Sequence, residues 1–250
     1  MLQPVLRSIG VLVLLAGSLA LAEGPEAVWL TAEDGVEIRG DLFTLAGDAE
    51  KKAPLVLLFH QAGASRHEYG TIAPRLNDLG FHALAIDQRS GGPRWGENAT
   101  VEKLGRSTDY LDALADLEAA WAWASGAGYS GKKLVWGSSY SSALVFLLAA
   151  EHSEIDGVLS FSPGEYLGSR TDEVRKAARK VRQPVLVMTP EEERERAKTV
   201  FDVLPGDANV FVIPEEAVHG SSMLVPGRNP GAEQIWPELV AFLEQFRPQK

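Results

Sequence analysis

The chain has 250 residues, 45% of them hydrophobic, a formal net charge of −10 and no cysteine. That length supplies one substantial core rather than two, and the apolar fraction argues for a globular fold over disorder. The charge argues against nucleic acid or an anionic membrane as partner, and the missing thiols exclude disulfides, a cysteine nucleophile and a lipid-modified N-terminal cysteine.

Residues 1–22 are a different material from the rest. Arg7 gives a positive start, Ile9 to Ala22 is almost wholly apolar, and Ala20-Leu21-Ala22 places small residues before Glu23. The apolar run is about 14 residues, short of the roughly 20 that cross a bilayer as a helix. The segment therefore reads as a secretory signal cleaved after Ala22. The expected product is an exported protein, periplasmic or secreted. It is a single domain of residues 23–250 with no stable membrane anchor. Arg7 is the one charged residue removed, so its net charge is −11.

The domain opens with two apolar stretches, Ala27 to Leu30 and Val36 to Phe43, flanking Asp34-Gly35, which predicts an antiparallel hairpin. Short continuous apolar runs follow: Leu55 to Phe59, Ala83 to Ile86, Leu134 to Trp136, Val158 to Phe161, Val185 to Met188 and Val210 to Ile213. Continuous hydrophobicity suits strands covered on both faces, as in a parallel sheet. Between the runs lie helical spacings, notably Leu114, Leu117 and Trp121 within Thr108 to Ala124, and Ile235, Leu239, Phe242 and Phe246 near the C-terminus. The alternation predicts an α/β fold: a doubly wound, mostly parallel sheet with the antiparallel hairpin at its start and no large lid domain.

Gly126-Ala-Gly128-Tyr-Ser-Gly131 has the spacing of a dinucleotide fingerprint. Such a motif must leave a strand and open a helix so that backbone N–H groups face the phosphates. Here a helix precedes and a strand follows, so the segment is a turn.

Leu134-Val135-Trp136-Gly137-Ser138-Ser139-Tyr140-Ser141 carries more chemistry. A buried strand runs into Gly-x-Ser-x-small and then an apolar helix, expected from about Ala143 to Ala150, which is the pattern of a nucleophile elbow. Small residues at Gly137 and Ser141 admit the sharp turn, and Ser139 is the candidate nucleophile. A serine hydroxyl needs a base. Of the five histidines only His219 follows the last predicted strand, where its loop can return over the strand ends. The base needs a carboxylate to orient it, and Val185 to Met188 is followed by Thr189-Pro190-Glu191-Glu192-Glu193. Thr189 as N-cap, Pro190 at the first helical position and Glu192 form a capping box. Glu193, one place beyond, is the choice for the orienting acid, with Glu192 and Glu191 open alternatives. His60-Gln61-Ala62-Gly63-Ala64-Ser65 leaves another buried strand as a loop of small residues, whose N–H groups could join that of Tyr140 in an oxyanion hole. A metal site at His60 and His67 finds no further clustered ligands.

These residues, in the order Ser, acid, His, resemble the α/β-hydrolase superfamily over nearly all of the chain after the signal. Among its branches, the compact size is most similar to dienelactone-hydrolase-type enzymes and small esterases, although dienelactone hydrolases proper use a cysteine nucleophile that this chain lacks. The resemblance implies Ala62 as an oxyanion donor beside Tyr140, with Gln61 standing in the hole where glycine is commoner. It implies no metal or organic cofactor. The expected reaction is hydrolysis of small or accessible carboxylic esters through an acyl-serine intermediate, the partner being the small-molecule ester itself. The same set of residues would serve an amide or peptide bond. From another class, the chain could be a non-catalytic binding protein on this scaffold. Only 54 positions separate Ser139 from Glu193, leaving little room for a lid beyond the Pro163 to Arg170 loop, and Arg89 to Gly105 with Trp95 is expected to form another wall. Asn98-Ala-Thr100 matches an N-glycosylation sequon.

Overall fold

A computed structural model describes residues 24–48, 51–169 and 171–248. The expected signal segment lies outside the described residues. Eight strands form one sheet: β1 (Glu26–Thr31), β2 (Glu37–Phe43), β3 (Leu55–Phe59), β4 (His82–Ile86), β5 (Lys133–Ser138), β6 (Gly157–Phe161), β7 (Val185–Met188) and β8 (Val210–Val212). Their order is β1-β2-β4-β3-β5-β6-β7-β8. β2 runs antiparallel to both β1 and β4, and every other pairing is parallel. The hairpin turns at Gly35, whose φ of +84° is left-handed and suits the residue without a Cβ.

The continuous apolar runs have a direct cause. Successive side chains of a strand point to opposite faces, and here both faces are covered. Leu55, Leu57 and Phe59 enter one core while Val56 and Leu58 enter the other. Val185 and Val187 divide from Leu186 and Met188 in the same way. The helices are α1 (Ile72–Asp78), α2 (Ala99–Leu104), α3 (Leu114–Gly126), α4 (Tyr140–Glu151), α5 (Glu173–Ala178), α6 (Arg194–Phe201) and α7 (Ala232–Leu243). α3, α4, α5 and α6 cover the first face, and α1 and α7 cover the second. The fold is a doubly wound, mostly parallel α/β sheet with an antiparallel entrance, as the sequence predicts.

Two boundaries differ. The helix expected over Thr108 to Ala124 begins as a tight 3-10 turn at Tyr110–Ala113 and becomes α-helical only at Leu114. The helix expected from Ala143 starts three residues earlier, at Tyr140, because the chain reverses within the single residue Ser139. At α4 the polar Ser141 and Ser142 at the helix start hide the period that the apolar residues reveal later.

The parallel strands bring all their C-terminal ends to one edge, where ligands bind in open α/β sheets. β3 and β5 are neighbours in register, Phe59 opposite Gly137. Ala62 and Tyr140 therefore emerge side by side, each three residues past that pair.

Candidate active site

Ser139 sits between β5 and α4 with φ 57° and ψ −123°. That conformation is costly for a residue with a Cβ and is held only where its surroundings over-determine it. Three contacts do so. The Ser139 N–H donates to the Phe161 carbonyl at 2.9 Å. Gly137 lies so close to the next turn that a Cβ would overlap the Ser141 carbonyl. The Ser141 hydroxyl donates to the His60 carbonyl at 2.6 Å, tying α4 to the loop after β3.

His219 reaches the elbow from the loop after β8. Its Nε2 lies 2.7 Å from Ser139 Oγ, and its Nδ1 lies 2.6 Å from Glu193 Oε1. An Nδ1–H donating to the carboxylate leaves the Nε2 lone pair to accept the Ser139 O–H. The next residue makes this approach possible. Gly220 has φ +66°, and a Cβ there would stand 2.6 Å from Ser138 Oγ. The Gly220 N–H donates to Ser162 Oγ at 2.9 Å, which pins the histidine loop over β6.

Of the three consecutive glutamates, Glu193 alone meets the imidazole. Glu191 pairs with Arg194, and both Glu191 and Glu192 are exposed. The capping box expected at Thr189, Pro190 and Glu192 does not form. The Thr189 N–H still pairs with the Val212 carbonyl of β8, and Pro190 is extended at ψ 159°. Winding therefore starts later, as a 3-10 turn over Glu191–Glu193 that leads into α6. Burial opposes ionisation of Glu193. Hydrogen bonds from His219 and Ser162, with the charges of His219 and Arg196, outweigh it and bring its pKa down from the usual 4.5 to about 2.

The N–H groups of Ala62 and Tyr140 make no hydrogen bond among the described residues, and both stand at the same strand edge. Gln61 corrects an expectation. Its backbone N–H, offered as part of the oxyanion hole, donates at 2.7 Å to the Glu68 carboxylate and is spent there. His60 is fully buried, accepts the Gln88 N–H at Nε2 and donates from Nδ1 to the Gln61 carbonyl. Burial lowers its pKa to about 4, so it stays neutral and braces the loop.

The wall expected after β4 falls beside these groups. The segment after β4 packs against Gly63, with the Arg94 N–H donating to the Gly63 carbonyl, and Arg228 stacks 3.4 Å above the Trp95 ring. Asn98 caps α2 by accepting the Val101 N–H and is 2% exposed, its amide donating to the Gln88 carbonyl. The sequon asparagine is thus inside the protein, where a glycan has no room.

Sequence reasoning passed over Glu68. It is fully buried and accepts from the Gln61 N–H, the Gln61 side-chain amide at 3.1 Å and the Ser138 hydroxyl at 2.8 Å. Ser138 Oγ in turn accepts the Ser221 N–H at 2.9 Å, two residues from His219. One carboxylate thereby joins the loop after β3, the elbow and the histidine loop. Burial pushes its pKa upward against those hydrogen bonds. The signal in the sequence is slight: a lone acid between Ser65 and Tyr69 in a segment that reads as a loop.

A parallel α/β sheet with a serine on a strained strand-to-helix turn, and a histidine and a carboxylate at neighbouring strand ends, defines an α/β-hydrolase. The chain belongs to the family described as serine aminopeptidase, S33, whose model matches residues 50–202 and so takes in Ser139 and Glu193 but stops short of His219. Solved structures with the same fold include a dienelactone hydrolase from Anabaena variabilis. It is 19% identical, with a TM-score of 0.69, over 90% of this chain and all of that one. An esterase from Pyrococcus furiosus is 19% identical, with a TM-score of 0.67, over 89% of this chain and 90% of that one. Est1E from Butyrivibrio proteoclasticus, solved with ferulic acid bound, is 16% identical, with a TM-score of 0.67, over 88% of this chain and 99% of that one. No curated protein matches the chain in sequence.

Two outcomes test the supporting groups. Glu68→Gln turns an amide donor toward groups that themselves donate, and should lower kcat by about tenfold to a hundredfold with little change in KM. Steady-state kinetics on an activated ester would show this, and an unchanged kcat would remove the carboxylate's hold on the loops. Glu193, ionised in the fold down to about pH 2, contributes stability that is present above 4.5 and lost as pH falls toward 2. Urea midpoints measured between those pH values should fall less steeply in Glu193→Gln than in the wild type.

Proposed function

We propose that the protein is a serine hydrolase that cleaves carboxylic esters of small or accessible substrates through an acyl-serine intermediate. The observation that carries this reading is the 2.7 Å approach of Ser139 Oγ to His219 Nε2, with Glu193 behind the imidazole. Ser139 Oγ attacks the carbonyl carbon while His219 Nε2 takes the hydroxyl proton. Negative charge collects on the carbonyl oxygen, where the N–H groups of Ala62 and Tyr140 would hold it and the N-terminus of α4 favours it. The carbon–oxygen bond to the leaving group breaks, and the imidazolium returns the proton to release the alcohol. Water then attacks the acyl-serine, gives a proton to His219 and frees the acid as Ser139 Oγ recovers that proton. Glu193 holds the Nδ1–H tautomer throughout.

The short connections over the site support a small or accessible substrate. A second reading, hydrolysis of an aminoacyl amide by the same groups, is favoured by the description of the matched family. Rates on a matched ester and aminoacyl amide separate the two. Ser139→Ala should lower turnover of p-nitrophenyl acetate by at least about 10⁴-fold and abolish labelling by a fluorophosphonate. Labelling that survives the substitution would defeat the assignment.

Export belongs to the same proposal and rests on residues 1–22. Expressed in a bacterial host with its own N-terminus, the protein should be recovered outside the cytoplasm with Glu23 as its first residue. Edman degradation or intact mass reads this directly, and a cytoplasmic chain that keeps residues 1–22 would exclude it.

A further inference from the structure

A cleft of about 500 Å³ opens between the 3-10 turn at Tyr110–Ala113 and the loop after β6. Tyr110, Leu111, Tyr166 and Leu167 line it, with Asp109 and Asp112 also on its wall. Its place follows from the packing. The turn before α3 and the helix α5 both pack on α4, and α4 begins at Tyr140, directly after Ser139. The ring of Tyr110 stacks on that of Tyr140, the residue after the nucleophile, with centroids 4.4 Å apart and planes 19° from parallel. Tyr140 is fully buried and its phenol oxygen accepts from Ser90, so it is a fixed base beneath Tyr110. Tyr110 itself is 38% exposed. On the far side, the Tyr166 hydroxyl donates to the Ser162 carbonyl at 2.8 Å, and Ser162 also holds the histidine loop through Gly220.

We infer that this cleft receives the acyl half of the substrate and selects an aromatic acyl group, an inference that rests on the ester-hydrolase reading above. Three observations converge. The volume lies within the range of small-molecule sites. Two tyrosines of restricted orientation face the space. An aromatic ring gains from an offset or edge-on partner beyond the area it buries, an advantage a saturated ring of like size does not share. The assignment to the acyl half comes from Tyr140. It directly follows Ser139 and its ring carries that of Tyr110. The acyl group is the half that stays bonded to Ser139 Oγ, above the α4 N-terminus, and so lies next to Tyr110. The carboxylates of Asp109 and Asp112 disfavour an acyl group that is itself anionic.

p-Nitrophenyl benzoate and p-nitrophenyl cyclohexanecarboxylate share a leaving group and differ in the acyl ring. With each kcat/KM divided by the ester's own hydroxide rate, the wild type should favour the benzoate by about fivefold, the scale of one aromatic contact. Tyr110→Leu should bring that ratio close to one and Tyr110→Phe should keep it. A 4-carboxybenzoate ester should react more slowly than the benzoate. A wild-type ratio at or below one overturns the inference whether or not either variant folds, as does a ratio that Tyr110→Leu leaves unchanged in folded protein. Failure of the underlying reading looks different. There the wild type would neither turn over p-nitrophenyl acetate nor take a fluorophosphonate at Ser139, and both ideas would fall together.

Discussion

A chain that must reverse direction within one residue, between a buried strand and a buried helix, constrains everything around it. Ser139 makes that reversal at positive φ. The left-handed geometry lifts its hydroxyl clear of both elements and leaves the Tyr140 N–H unspent at the helix start. It also demands that Gly137 carry no side chain and that Ser141 carry a small one. The strain is balanced by bonds to neighbouring strand ends, from the Ser139 N–H to Phe161 on one side and from Ser141 to His60 on the other. The same edge of the sheet that resolves the strain therefore collects Ser139, His219 and Glu193.

The histidine loop meets this turn under an equally narrow condition. Gly220 passes against Ser138 at a distance that excludes a Cβ, and its N–H is taken by Ser162. Ser162 also stands at positive φ and serves the Glu193 carboxylate. Serine, histidine and glutamate are thus held less by one another than by residues one step away from each. Their short mutual distances are a result of that scaffolding.

The sheet was legible because it is covered on both sides. Every strand from β3 to β8 appears in the chain as an apolar run, broken only by Ser160 in β6, with bounds within two residues of those observed. The elbow was legible because its steric demand falls on fixed positions, Gly137 and Ser141. Local pattern could not say which of three adjacent glutamates turns inward. That depends on Thr189 remaining paired with β8 and delaying the winding of the chain, which is a tertiary fact. The same holds for Glu68, an acid that local pattern assigns to solvent, and for Tyr110, whose value lies in a partner thirty residues further on. Where side chains act through distant partners, composition and periodicity carry no trace of it.

Glu68 also bears on how such a protein can change over generations. Its carboxylate accepts from residues on two segments and reaches a third through Ser138. Gln61, Ser138 and the Ser221 backbone are therefore not free to drift one at a time. A descendant that loses the acid inherits several buried donors without an acceptor, and must replace them as a set. Lineages of this fold should accordingly divide into those that keep the whole cluster and those that have rebuilt it, with few forms between.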